Sequence, residues 1–171
     1  MRRFILLLLL MRSMISFSQT LVSGSFSLPK SEKFIIIEWD FSEAVIEQKY
    51  NESEWEALNG EKEWSEAKTE TIDLIKREMN NNMANSRLTV VTKESGLNYS
   101  YSLHICPQKL FKNGNNLSLY ILKEISSGEE VGRCIIKGKG GKFGSLSNLM
   151  GDGYEEAARK MGKYLRSQNK L

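Results

Sequence analysis

Glu38 and Asp40 stand two residues apart at the end of an apolar run, Phe34 to Ile37. On an extended strand that spacing puts both carboxylates on one side, where such a pair can act as acid and base or bind a cation. His104, the sole histidine, precedes Cys106 by two residues, so a strand again places both on one face, as metal ligands or as a Cys–His pair. Two ligands do not complete a zinc site, and only Cys134 remains to supply another sulfur. No third group is identified beside Glu38 and Asp40. The preferred reading is strand-end carboxylates in solvent and a structural histidine, with neither metal nor cofactor expected. The alternative is a small hydrolase or metal-dependent enzyme using Glu38 or Asp40 with His104.

The stretch from Lys137 to Tyr154 holds six glycines, at 138, 140, 141, 144, 151 and 153, ahead of a terminal helix. Glycines beside lysines can expose backbone N–H groups to an anion. A phosphate-binding loop, however, needs Ser or Thr directly after its lysine and a helix at once. Here Phe143 follows Lys142, and the expected helix opens some ten residues later, with Asp152 at an entrance where it would repel phosphate. The stretch therefore reads as a structural or partner-binding loop. Its candidate binding surface is Lys139, Lys142, Phe143, Asp152 and Tyr154.

These groups belong to a chain that opens with an export signal. Arg2 and Arg3 precede an apolar run from Phe4 to Met11, which as a helix reaches only about 12 Å against a hydrocarbon core of about 30 Å. Ser16, Phe17 and Ser18 then place small residues at alternating positions, so a signal peptide of residues 1–18 is expected to be cleaved before Gln19. The destination is periplasmic or secreted, and the mature chain has no transmembrane segment. No cysteine stands at the cleavage site to take a lipid. The full chain has 24 basic and 21 acidic residues, and three of the basic ones are Arg2, Arg3 and Arg12. The mature chain thus carries 21 of each, and global basicity gives no reason to expect nucleic acid.

Charge is nevertheless uneven. Glu38 to Glu66 holds ten acids against two lysines, while Lys137 to Leu171 holds eight bases against three acids. Solvated faces of one domain account for this, and an oppositely charged partner or self-association is the sharper reading. In an exported chain Cys106 and Cys134 can form a bridge or remain two buried thiols; both alternatives stand. Sequons at Asn51, Asn98 and Asn116 matter only in a glycosylating cell.

Residues 19–32 are polar and Ser-rich and read as a flexible mature N-terminus. Lys33 to Trp39 predicts a strand buried on both faces, and Asp40 to Asn59 an extended edge or loop. From Glu61 to Met83, Trp64, Ala67, Thr71, Ile75, Met79 and Met83 predict one apolar helix face. Four strands follow, near 87–92, 97–106, 116–123 and 131–137, and a last helix capped by Asp152 buries Tyr154, Ala157, Ala158, Met161 and Leu165. The expected fold is α+β, a two-layer sandwich over residues 33–168. Its sheet has about five mainly antiparallel strands in the order β-α-β-β-β-β-α, with both helices on one face; helices on opposite faces are the runner-up.

Four features carry a resemblance over about residues 33–166: F-I-I-I-E-W-D at 34–40, the amphipathic helix after it, the series of strands that follows, and particularly G-K-G-G-K-F-G at 138–144 with G-D-G-Y-E-E-A-A-R-K-M-G-K-Y-L at 151–165. The chain resembles small exported proteins of Bacteroidetes-type bacteria whose domains are similar to the N-terminal domain of the periplasmic protein TolB and related outer-membrane lipoprotein domains. That resemblance implies an envelope-associated domain used in assembly or binding and brings no catalytic residues. The expected function is non-enzymatic binding, of an unknown envelope protein or a small polar ligand.

Overall fold

A computed structural model describes residues 19–93 and 96–170, so the signal peptide expected at residues 1–18 lies outside the described residues. The elements are β1 (Gln19–Gly24), β2 (Phe34–Trp39), β3 (Val45–Ile46), α1 (Glu52–Asn59), α2 (Glu61–Asn82), β4 (Thr89–Val91), β5 (Tyr101–Leu110), β6 (Asn116–Glu124), β7 (Glu130–Gly138) and α3 (Leu146–Gln168). The architecture is α+β. One seven-stranded sheet runs β1-β7-β6-β5-β2-β4, with β3 alongside β5.

The expected five strands, two helices and order β-α-β-β-β-β-α are corrected to seven strands and three helices among the described residues, in the order β-β-β-α-α-β-β-β-β-α, and the sheet is mixed. β1–β7, β5–β6 and β6–β7 are antiparallel, whereas β2–β4, β2–β5 and β3–β5 are parallel. Parallel pairing follows from the helices between β2 and β4, which return the chain to the starting end of the sheet. The segment expected to be flexible is also ordered. β1 pairs with β7, and Phe26 and Leu28 enter the core at 0% and 5% exposure.

Local chemistry explains the helices. α2 buries Trp64, Ala67, Thr71, Ile75 and Met79, the face that its 3.6-residue period predicts. α1 replaces the expected loop, because Asn51 accepts a hydrogen bond from the Glu54 N–H while the Glu54 carboxylate accepts one from the Asn51 N–H. This reciprocal cap satisfies two otherwise unpaired donors. α3 begins six residues before Asp152, with Ser145 as its cap accepting from the Asn148 N–H at 3.3 Å. Tyr154, Ala157, Ala158, Met161 and Leu165 are fully buried as the helical period requires.

α2 and α3 pack side by side on one face of the sheet and run in the same direction. Ser147 meets Glu70, Gly151 lies against Leu74, and Gly162 approaches Met79 and Asn82. Their apolar residues join Ile35, Ile37, Leu103, Ile105, Tyr120, Leu122, Cys134 and Ile136 in one core. Among the described residues no helix covers the other face, where Glu38, Ser102, His104, Cys106, Lys123 and Arg133 lie among Ile36, Leu119, Ile121 and Ile135. On that face Ile36, Ser102, Cys106 and Ile121 are still 9% exposed or less.

Candidate functional site

The bare face brings together most of the residues that could do chemistry. Parallel pairing sets Glu38 of β2 directly beside His104 of β5, and antiparallel pairing sets Lys123 of β6 beside Ser102. Glu38 Oε2 lies 3.6 Å from His104 Nε2, and Ser102 Oγ lies 2.9 Å from the same nitrogen. In a Ser–His–acid triad the carboxylate and the hydroxyl must engage opposite ring nitrogens, so that the histidine can pass a proton between them. Here they share one nitrogen, and Ser102 is 4% exposed. This arrangement is a hydrogen-bonded cluster, without triad geometry.

Asp40 points elsewhere. Its Oδ1 accepts from Ser42 Oγ at 2.6 Å and from the Ser42 N–H at 3.1 Å, which holds its carboxyl below the usual range. Cys106 Sγ sits 3.9 Å from Asp40 Oδ2. Burial, reinforced by that carboxylate, pushes the thiol up to about 11, the opposite of what a nucleophilic cysteine needs. The His104 imidazole lies below its ordinary value, with burial contributing most and Lys123 next, while Glu38 and Asp40 pull the other way. Among the described residues no three His, Cys, Asp or Glu side chains converge as metal ligands.

The bridge between Cys106 and Cys134 is corrected. Both are free and buried. β6 separates their strands, about 10 Å across two strand spacings, and the thiols point to opposite faces, since Cys134 Sγ lies 3.9 Å from Met161 Sδ in the helix layer. A disulfide needs Cα atoms within about 7 Å and facing Cβ vectors.

The glycine-rich stretch divides in two. Gly114, Gly138, Gly140 and Gly153 let the β5–β6 turn, the end of β7 and the start of α3 touch backbone to backbone. A Cβ on Gly153 would stand 1.9 Å from the Gly114 carbonyl oxygen, and one on Gly138 2.0 Å from that of Gly153. The loop N–H groups meet the chain's own acceptors: Lys139 donates to Glu156 Oε2 at 2.7 Å and Gly140 to Asn115 Oδ1 at 2.8 Å. Tyr154 is corrected from surface to core. It is fully buried, its ring is 4.9 Å from that of Trp39, and its hydroxyl is 3.3 Å from Ser118 Oγ.

The second part of the stretch remains outside. Lys139, Lys142, Phe143 and Asp152 are exposed, and Phe143 is 91% exposed. Phe143, Glu70, Leu74, Asn148 and Asp152 rim an open depression of about 420 Å³ between the middle of α2 and the start of α3. Leu74 and Glu70 were not among the expected surface residues, because only the parallel packing of α2 and α3 brings them there. Trp39, Trp55 and Trp64 are hydrophobic anchors, Trp55 at 6% exposure and Trp64 fully buried.

The fold and these two surfaces define a class: an α+β domain with one helix-covered sheet face, a second face of mixed polar and apolar residues that no described helix covers, and a loop tied at both ends that displays an aromatic ring. No family model matches the chain, and no curated protein does. Among solved structures it is similar to the PelC dodecamer from Paraburkholderia phytofirmans in two crystal forms. A variant form is 15% identical over 86% of this chain and 95% of that one, with a TM-score of 0.42. The other is 13% identical over 83% and 96%, with a TM-score of 0.39. Both likenesses are too distant to carry an argument. Among the described residues no helix is long and apolar enough to cross a membrane.

Proposed function

We propose that the mature chain is a non-enzymatic, exported binding domain of the cell envelope, periplasmic or secreted, whose working surface is the loop around Phe143. The observation that carries this reading is an aromatic ring 91% exposed on a loop that is fixed at both ends. On one side Lys139 and Gly140 are tied to Glu156 and Asn115; on the other Ser145 caps α3. A mobile surface aromatic would be unremarkable, but a ring held out beside a depression is pre-organised to enter a partner. Lys142 and Asp152 supply polar contacts at its rim. The leader and the resemblance to TolB-like envelope domains support export and an envelope role.

Partner identity is left to chemistry: an envelope protein, a small polar ligand or a second copy. Parallel packing of the helices puts exposed Glu61, Glu63 and Glu66 near one end of the helix layer and exposed Lys163, Arg166 and Lys170 near the other, which supports self-association. The test is affinity capture from the envelope fraction with wild type and a Phe143→Ala/Lys142→Ala variant of equal thermal stability. Loss of a specific partner from the variant is expected; identical capture by both would reject the Phe143 surface.

A hydrolase or metal-dependent enzyme using Glu38 or Asp40 with His104 is the second reading, favoured only by the 3.6 Å Glu38–His104 contact. The shared ring nitrogen, the engaged Asp40 carboxylate and the raised Cys106 thiol weigh against it.

A further inference from the structure

The depression beside Phe143 is lined by three carboxylates, Glu70, Asp152 and Glu155, and no basic side chain joins them there. Lys142 is exposed next to the ring but stands outside the lining. The chain itself engages part of this charge: Glu70 Oε2 accepts from Ser147 Oγ, and Glu155 Oε1 pairs with Arg159 Nη2 at 2.7 Å. Glu70 and Asp152 make no ion pair among the described residues.

A second observation lies in the same lining. Thr71 is fully buried, and its hydroxyl has no hydrogen-bond partner among the described residues. A buried hydroxyl in this state is destabilising until a ligand or water satisfies it. Phe143 and Leu74 add apolar surface beside the acids. The acids do not converge on one point, since no three His, Cys, Asp or Glu side chains among the described residues are placed to hold a metal ion. Separated acceptors beside an aromatic ring suit an organic cation, whose several N–H groups reach different oxygens while its stem lies on apolar surface.

We propose that this depression receives a basic side chain, arginine or lysine, presented by the partner protein that the Phe143 ring enters. The inference rests on the reading of the Phe143 loop as a binding surface and specifies the chemistry of its partner. The charged head donates to the Asp152 and Glu70 carboxylates and toward the Thr71 hydroxyl, its stem packs on Leu74, and the Phe143 ring flanks it.

The experiment is an NMR titration of the isotope-labelled protein with N-acetyl-arginine amide, N-acetyl-lysine amide and, as the uncharged counterpart of arginine, N-acetyl-citrulline amide. At least one basic amide shifts the backbone resonances of Asn148, Gly151 and Asp152 saturably, and the citrulline amide does not. Glu70→Gln/Asp152→Asn, with its thermal midpoint unchanged, weakens that binding about fivefold or more. Absence of saturable shifts with both basic amides overturns the inference, as does an equal response to the citrulline amide or undiminished binding by the variant. Capture from the envelope fraction separates this inference from the reading beneath it. A partner lost from Phe143→Ala/Lys142→Ala yet held in full by Glu70→Gln/Asp152→Asn contradicts only the basic side chain. Binding of a basic amide together with capture that ignores Phe143 rejects only the Phe143 surface and leaves the depression as a cation site.

Discussion

Cys106 and Cys134 lie on opposite faces of the sheet, and burial pushes their thiols up to about 11 and about 12. An unfolded thiol loses its proton near pH 9, so the folded state holds protons that the unfolded state has released. The contribution to stability is intact below pH 9 and is lost as pH rises through the folded values. Urea midpoints are therefore expected to fall between about pH 9 and 11, and less steeply in Cys134→Ala. Iodoacetamide should label both cysteines only after unfolding, without a reductant. Labelling of neither in the unfolded, unreduced protein would show a bridge. At this scale the sequence displayed the alternation of Glu38, Asp40, His104 and Cys106 but not their register. Glu38 meets His104 because β2 and β5 are parallel neighbours, and no local pattern encodes which strands pair.

The glycines of the second half belong to the scale of elements. Gly153 lies inside α3 where a side chain would strike the Gly114 carbonyl, whereas the nearest atom to a Cβ on Gly151 is Leu74 Cδ2 at 3.4 Å. Gly153→Ala should then cost about 2 kcal/mol or more through backbone displacement. Gly151→Ala should be neutral or stabilising by up to about 1 kcal/mol, because alanine favours a helix interior and its methyl has room. Urea denaturation of the two variants checks the contrast, and equal effects would contradict the packing described. α2 and the buried face of α3 were legible from periodicity, because apolar spacing survives any tertiary arrangement. The start of α3 was not, since two glycines at 151 and 153 resemble a loop until their backbone contacts are known. α1 was missed although Asn51 and Glu54 spell a capping box, because the acidic, weakly periodic residues after it hide the single anchor Trp55.

For the whole molecule, the segment after β1 and the segment after α3 are joined by a clasp that no local signal announces. Asn169, 2% exposed, accepts from the Leu28 N–H at 2.8 Å and donates to the Phe26 carbonyl at 2.8 Å. Arg87 donates to the carbonyls of Leu28, Pro29 and Glu32, and to Asn169. These contacts turn a Ser-rich segment, flexible by composition, into part of the core, and β1 extends the sheet past β7. The same fold leaves one sheet face open for the polar cluster and braces the loop that carries Phe143. The central claim is that this ring enters a specific partner, and photo-cross-linking from position 143 tests it most directly. A photoreactive phenylalanine analogue at 143 in the full chain produced in its own cell should yield one dominant cross-linked species, with none from the same group at Leu58, which is also exposed. Diffuse products at 143, or the same species from both positions, would contradict the account.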